Sequence, residues 1–143
     1  MAPFADRLAS AAAVADGRRV VATGIEAKLH TRYSIDTLRA LQRLFPRVEF
    51  VWVMGADILE ELPRWRRWLE LAANVPLAVL PRETYNQRAL AGLAAHRLHR
   101  GLRRDREATM LAGAVPPAWT FLDSPQHPAS ASAIRAARKG GAS

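Results

Sequence analysis

The chain has 143 residues, half of them apolar and 24% charged, with no cysteine and a net charge of +8 that arginine dominates. That length buries one core, and the composition is that of a soluble globular protein, not a disordered, fibrous or membrane-spanning one. Missing cysteines exclude disulfides and thiolate metal sites and fit the cytoplasm, while the basic balance favours phosphate-bearing or polyanionic partners.

No run reaches the about 18 uninterrupted apolar residues of a membrane span. The opening Met1-Ala2-Pro3-Phe4-Ala5-Asp6-Arg7 lacks the basic-then-apolar order of a signal peptide. Pro3 to Ala15 reads as an alanine-rich helix with Phe4, Leu8 and Ala11 or Ala12 on one stripe, stopped by Asp16-Gly17. Arg18 to Thr23 (RRVVAT) reads as a brief strand, and Gly24 to Arg32 as irregular. A better-defined helix comes next, capped by Ser34, with Ile35, Leu38, Leu41 and Leu44 or Phe45 at helical spacing and Pro46 at its end. Asp36 falls in its first turn, where an acid is worth about 0.3–1 kcal/mol against the helix dipole.

Val48 to Met54 (VEFVWVM) is the strongest strand, apolar enough to be covered on both faces as in a parallel sheet. Trp65 to Ala73 reads as a helix with Trp65 and Trp68 on one face. Leu77 to Leu80 (LAVL) is a buried strand between Pro76 and Pro81. Arg88 to Leu102 reads as a helix with arginines outward, Ala118 to Leu122 (AWTFL) as a last strand and Ala131 to Arg138 as a last helix, before a frayed tail at Gly140 to Ser143. Strands alternating with helices give an α/β protein with a parallel sheet, in a single domain over residues 1–143.

In an open α/β sheet, ligands bind beyond the carboxyl ends of the strands. Three segments fit: Gly24 to Asp36, Gly55-Ala56-Asp57, and Ser130 to Arg135. Gly55 allows a sharp turn or a close approach, and Asp57 either caps the next helix or meets a ligand. Two tryptophans three apart are packing or a platform for a flat ring. Ser130 and Ser132, with Arg135 and Arg138 behind them, cap a helix or hold an anion. His96 and His99 share a helical face, but no third ligand is near, so a packing or solvated role is expected and no metal site. There is no Walker loop, no G-x-G-x-x-G and no nucleophile elbow.

In order, the series P-F-A-D-R-L-A, Y-S-I-D-T-L, a strand into M-G-A-D, W-R-R-W and a terminal S-x-S-A-I-R resembles bacterial nicotinate-nucleotide adenylyltransferases over nearly the whole chain. That resemblance implies a Rossmann-like parallel sheet of the nucleotidyltransferase type. It implies adenylyl transfer from ATP, with Mg²⁺, to nicotinate mononucleotide, giving nicotinate adenine dinucleotide and pyrophosphate in NAD biosynthesis. Carried over by position, Tyr33, Ser34, Thr37, Gly55, Asp57, Trp65 and Arg82 bind the mononucleotide, with Trp65 stacking on the nicotinate ring and Arg82 beside the phosphate. Ser130, Ser132 and Arg135 hold ATP phosphates, and Ala131 stands where the family usually has a further serine.

The family opens with G-G-[ST]-F-[DN]-P-x-H-x-G-H, whose histidines serve the ATP phosphates. Nothing in the chain matches it, so no catalytic residue is assigned. The expected fold therefore lacks its first βα unit, on the order of thirty residues. Neighbouring strands would then carry unpaired backbone groups and an uncovered apolar face. Met1 is read as an internal methionine of a longer reading frame. A non-catalytic nucleotide-binding remnant is the alternative. A basic nucleic-acid module built on Arg97, Arg100, Arg103, Arg104 and Arg106 is a distant third, because no aromatic residue interleaves them. No nucleic-acid and no membrane partner is expected, and the oligomeric state is left open.

Overall fold

A computed structural model describes residues 4–14, 23 and 25–122. Most of the strand expected at 18–23, the helix at 131–138, the tail at 140–143, and Ser130, Ser132 and Arg135 lie outside the described residues. The chain divides into two compact units, residues 1–48 and 49–143.

In the first unit, α1 (Phe4–Val14) matches the expected helix. The segment expected to be irregular holds a short helix, α2 (Ile25–Leu29). Its residues I-E-A-K-L are mostly good helix formers, and the Ile25 N–H donates to Thr23 Oγ1 at 3.3 Å. His30, at φ 54°, ends it in the left-handed region. Helix α3 (Ser34–Leu44) begins one residue earlier in its capping than expected. Tyr33 is the N-cap and makes no side-chain cap bond. The Asp36 and Thr37 N–H groups donate to the Tyr33 carbonyl, both at 3.1 Å, so Ser34 is the first helical residue and not the cap. Ile35, Leu38 and Ala40 are buried, whereas Leu44 and Phe45 at the end of the stripe are exposed.

The second unit is built on four parallel strands in the order β1-β2-β4-β3. They are β1 (Trp52–Gly55), β2 (Leu77–Leu80), β3 (Leu102–Arg103) and β4 (Trp119–Phe121). The parallel α/β class expected from the strand–helix alternation is what forms. Strand β1 is shorter than the run from Val48. Its first rung is the Trp52 N–H donating to the Pro76 carbonyl at 2.9 Å. Beyond Pro76 the partner backbone turns into a helix, so residues 48–51 have no β2 segment to pair with.

By strand alternation, Met54, Leu77, Val79 and Trp119 share one face, and all four are buried. The Trp119 Nε1–H donates to the Leu98 carbonyl at 2.8 Å, which satisfies the one polar atom of that large side chain. The opposite face carries Val53, Ala78, Leu80 and Thr120. Leu111 and Ala114 pack with Ala78, Ala118 and Val51 over part of it, but Val53 is 59% exposed and Leu80 40%. The expectation of a strand covered on both faces is corrected here. At the end of the edge strand β1, one face is open.

Helix α4 (Ala56–Glu61) leaves β1 directly and runs into a 3-10 turn at Leu62–Arg64. Helix α5 spans Trp68–Asn74, three residues later than expected. Pro63 opens the 3-10 turn, and Arg67 adopts φ 56°, so the chain redirects between the tryptophans. Arg67 Nε donates to Glu70 Oε2 at 2.6 Å across the first turn of α5. Trp65 therefore precedes the helix, and the two tryptophans do not share a helical face.

The long helix expected over 88–102 is broken into α6 (Asn86–Leu90), α7 (Leu93–Arg97) and a 3-10 turn at His99–Gly101, after which β3 begins. Gly92, the extended N-cap of α7, makes the first break. Gly101 makes the second: a Cβ there would meet the Pro117 carbonyl oxygen at 2.5 Å, so only glycine lets these two backbones touch. A nine-residue 3-10 helix, Asp105–Gly113, then leads toward β4.

Candidate functional site

The carboxyl ends of β1 and β2 lie side by side, since Gly55 pairs with Leu80. The segments that leave these two strand ends form the site. Gly55 is the N-cap of α4 at φ −81°, ψ 164°, a backbone that any residue adopts. Glycine is needed there for space. A Cβ would stand 2.5 Å from Asp57 Oδ1 and 3.0 Å from Arg82 Nε. The strand end is thus a floor without side chain, flanked by one carboxylate and one guanidinium.

Asp57 lies in the first turn of α4, but no side-chain cap bond forms at that helix. The capping role open to it in the sequence is not what it does. Its Oδ1 is fully covered and accepts no hydrogen bond among the described residues. Arg82 Nε stands 3.7 Å from that oxygen, an ion pair without hydrogen-bond geometry. A covered acceptor left unmade costs on the order of 1–3 kcal/mol, which sets this carboxylate apart from an ordinary surface acid.

Arg82 comes directly after Pro81 and is gripped through its backbone. Its N–H donates to Asn86 Oδ1 at 2.6 Å, and its carbonyl accepts from the Tyr85 and Asn86 N–H groups at 2.8 and 3.0 Å. Its side chain is 56% exposed, so its remaining donors are open to an anion. Helices α4 and α6 are joined by Arg88, which donates to Glu60 Oε1 at 3.1 Å and Oε2 at 3.0 Å and lies over the Tyr85 ring at 5.1 Å. The hydrogen bond to Glu60 first, then its charge, push the Arg88 pKa up against a small opposing effect of burial. That bidentate pair ties the helix that carries Asp57 to the helix just after Arg82.

Gly55, Asp57 and Arg82 are therefore brought together. Trp65 is placed in extended backbone after the 3-10 turn, half-buried, with its N–H donating to the Leu62 carbonyl at 2.9 Å. Tyr33, Ser34 and Thr37 belong to the other unit, at the start of α3. The Arg32 guanidinium lies over the Tyr33 ring at 5.4 Å. Thr37 is buried, and its hydroxyl shares a 2.6 Å hydrogen bond with Thr31 Oγ1 and donates to the Tyr33 carbonyl at 3.3 Å. Among the described residues no three His, Asp or Glu side chains converge as a metal site. The residue that sequence reasoning passed over is Asn86. Its signal was an Asn next to a helix start, four residues after an arginine, a spacing at which an amide oxygen reaches back to the backbone.

Comparison with known proteins gives the family of the chain. The cytidylyltransferase-like family model matches residues 1–137. A protein of Gluconacetobacter diazotrophicus named "Probable nicotinate-nucleotide adenylyltransferase" is 55% identical over 136 residues, which cover 95% of this chain and 63% of that protein. A Gluconobacter oxydans protein of the same name is 52% identical over 135 residues, 94% of this chain and 69% of its own length. One from Brucella abortus is 39% identical over 135 residues, covering 94% and 70%. The chain thus spans about two thirds of the length of these relatives. With its parallel sheet and its matched motifs, the chain belongs to the cytidylyltransferase-like family, among the nicotinate-nucleotide adenylyltransferases.

Proposed function

We propose that the chain binds nicotinate mononucleotide and serves its adenylylation by ATP in NAD biosynthesis, a cytoplasmic reaction of soluble nucleotides. In that reaction a phosphate oxygen of the mononucleotide attacks the α-phosphorus of ATP. The bond to the departing pyrophosphate breaks, and nicotinate adenine dinucleotide forms. The observation that carries the reading is the Gly55–Asp57–Arg82 group at the ends of two adjacent parallel strands, in a chain half identical to proteins named for this activity.

Each residue has a physical task in this reading. Arg82 meets the mononucleotide phosphate with charge-assisted hydrogen bonds. Gly55 lets the ligand approach the backbone, and Asp57 offers its carboxylate to ligand hydroxyls. Trp65 gives the nicotinate ring a flat surface. Tyr33, Ser34 and Thr37 contribute nucleotide contacts, and Ser130, Ser132 and Arg135 the ATP phosphate contacts. Mg²⁺, if it comes with ATP as part of that substrate, would supply positive charge to its phosphate oxygens.

The test is calorimetric titration of the chain with nicotinate mononucleotide, and product analysis after ATP and Mg²⁺ are added. Saturable binding with formation of the dinucleotide is expected of the enzyme. Binding without product identifies a nucleotide-binding chain that lacks the ATP-side chemistry. A folded chain that does not bind the mononucleotide refutes the reading. Gly55→Ala, which puts a Cβ onto Asp57 and Arg82, should weaken binding at least tenfold while the far-ultraviolet circular dichroism stays unchanged.

A further inference from the structure

Arg82 poses a physical problem. Its side chain is long and 56% exposed, yet it lies across Gly55 with Nε 3.0 Å from where a Cβ would stand. Its partner there is Asp57, at 3.7 Å and without a hydrogen bond. One ion pair at that distance, on a guanidinium more than half exposed, is too weak to hold the side chain in place against its rotamer freedom. Something else has to fix where the Arg82 side chain starts.

The backbone of Arg82 is fixed on both sides by one turn. The carbonyl takes two N–H donors, from Tyr85 and Asn86, as any helix entry would arrange. The N–H is different. It is met by a side chain, Asn86 Oδ1 at 2.6 Å. Pro81 ahead of it fixes φ but has no N–H to share the task. Asn86 in turn begins α6, whose Arg88 is pinned to Glu60 on α4, the helix that carries Asp57. Two hydrogen-bonded contacts, Glu60 with Arg88 and Asn86 with the Arg82 amide, thus meet on the backbone of α6.

We infer that Asn86 is a positioning residue, whose side-chain oxygen holds the Arg82 backbone and so aims the Arg82 guanidinium across Gly55 toward Asp57, where the ligand phosphate arrives. The ligand part of this inference rests on the function proposed above. The aiming itself does not, and it can be read without any ligand.

The experiment uses ¹H–¹⁵N spectra of the 143-residue chain with the Arg82 amide and Nε resonances assigned. In the unsubstituted chain a nuclear Overhauser contact links Arg82 Nε–H to the Gly55 α-hydrogens. In Asn86→Ala that contact is lost, and the Arg82 amide exchanges with solvent roughly tenfold faster. Asn86→Asp keeps an oxygen acceptor in the same place and restores both signals. Calorimetric titration with nicotinate mononucleotide then shows roughly tenfold weaker binding for Asn86→Ala. Unchanged Arg82 signals in Asn86→Ala overturn the inference. So does a loss that Asn86→Asp fails to restore, because the turn would then have been disrupted generally. Equal mononucleotide affinity of the alanine variant and the parent also overturns it. If the parent chain does not bind the mononucleotide, the proposed function fails, and the Arg82 signals alone decide the role of Asn86.

Discussion

The two faces of the sheet differ more than their sequences do. VEFVWVM, LAVL and AWTFL are apolar on both sides of the strand alternation apart from Glu49 and Thr120, which invites the reading of a sheet covered twice. On the face of Met54, Leu77, Val79 and Trp119 that reading holds at the centre, where these four side chains are buried. Trp52 and Phe121 on the same face are part-exposed, and Leu102 on β3 is 47% exposed. On the other face, Leu111 and Ala114 cover Ala78 and Ala118, while Val53 and Leu80 stay open. An apolar run reports that a strand can be buried. Which elements arrive to bury it depends on what the rest of the chain places there.

The contrast can be broken or sharpened by substitutions on the two faces, each read as a change in urea-unfolding free energy. Trp119→Ala should cost the most, about 3–5 kcal/mol, since it removes the largest fully buried side chain and strips the Leu98 carbonyl of its donor. A loss below about 1 kcal/mol would show that this face is not the core. Leu111→Ala, on the half-covered face, should cost about 2–3 kcal/mol, because the 3-10 helix that carries it can settle into part of the space. If it matched Trp119→Ala, the two faces would be equivalent. Thr120→Val exchanges a buried hydroxyl, which donates to the Arg103 carbonyl at 3.3 Å, for a methyl of similar volume. About 1 kcal/mol or less is expected. Val53→Thr should stay within about 0.5 kcal/mol, as befits an open surface. A larger loss there would reveal an element packed on Val53.

The parallel sheet was legible because β2 and β4 are compact apolar runs bounded by proline. Length and breaks were less so. Strand β1 is trimmed by what Pro76 and α5 leave available to pair, which is a property of the partner segment. The helix expected over 88–102 ran through Gly92 and Gly101, and only the contact of Gly101 with Pro117, distant in sequence, explains the second break. The 3-10 helix at 105–113 turns on a tighter period than an α-helix. Ala108, Leu111 and Ala114 recur every third residue, the period of that tighter helix.

The candidate group at the strand ends was legible by residue and much less by cause. Gly55, Asp57 and Arg82 were each singled out, and they do meet. Yet Gly55 is there for room and not for a sharp turn, and Asp57 does not cap the helix it begins. W-R-R-W suggested one helical face, but Pro63 and the left-handed Arg67 separate its tryptophans. Asn86 went unnoticed because its partner is a backbone N–H, which leaves almost no mark on sequence pattern.

The hydrogen bond from the Trp119 indole to the Leu98 carbonyl also has an optical consequence. Trp52, Trp65 and Trp68 are part-exposed, and Trp119 is the one buried indole of the four. Its emission should lie at short wavelength, beyond the reach of iodide, and should vanish only when the sheet unfolds. A ring that stacks on Trp65 would quench the longer-wavelength, iodide-accessible part alone. One spectrum of the chain would then carry two independent reports, one of the fold and one of the ligand.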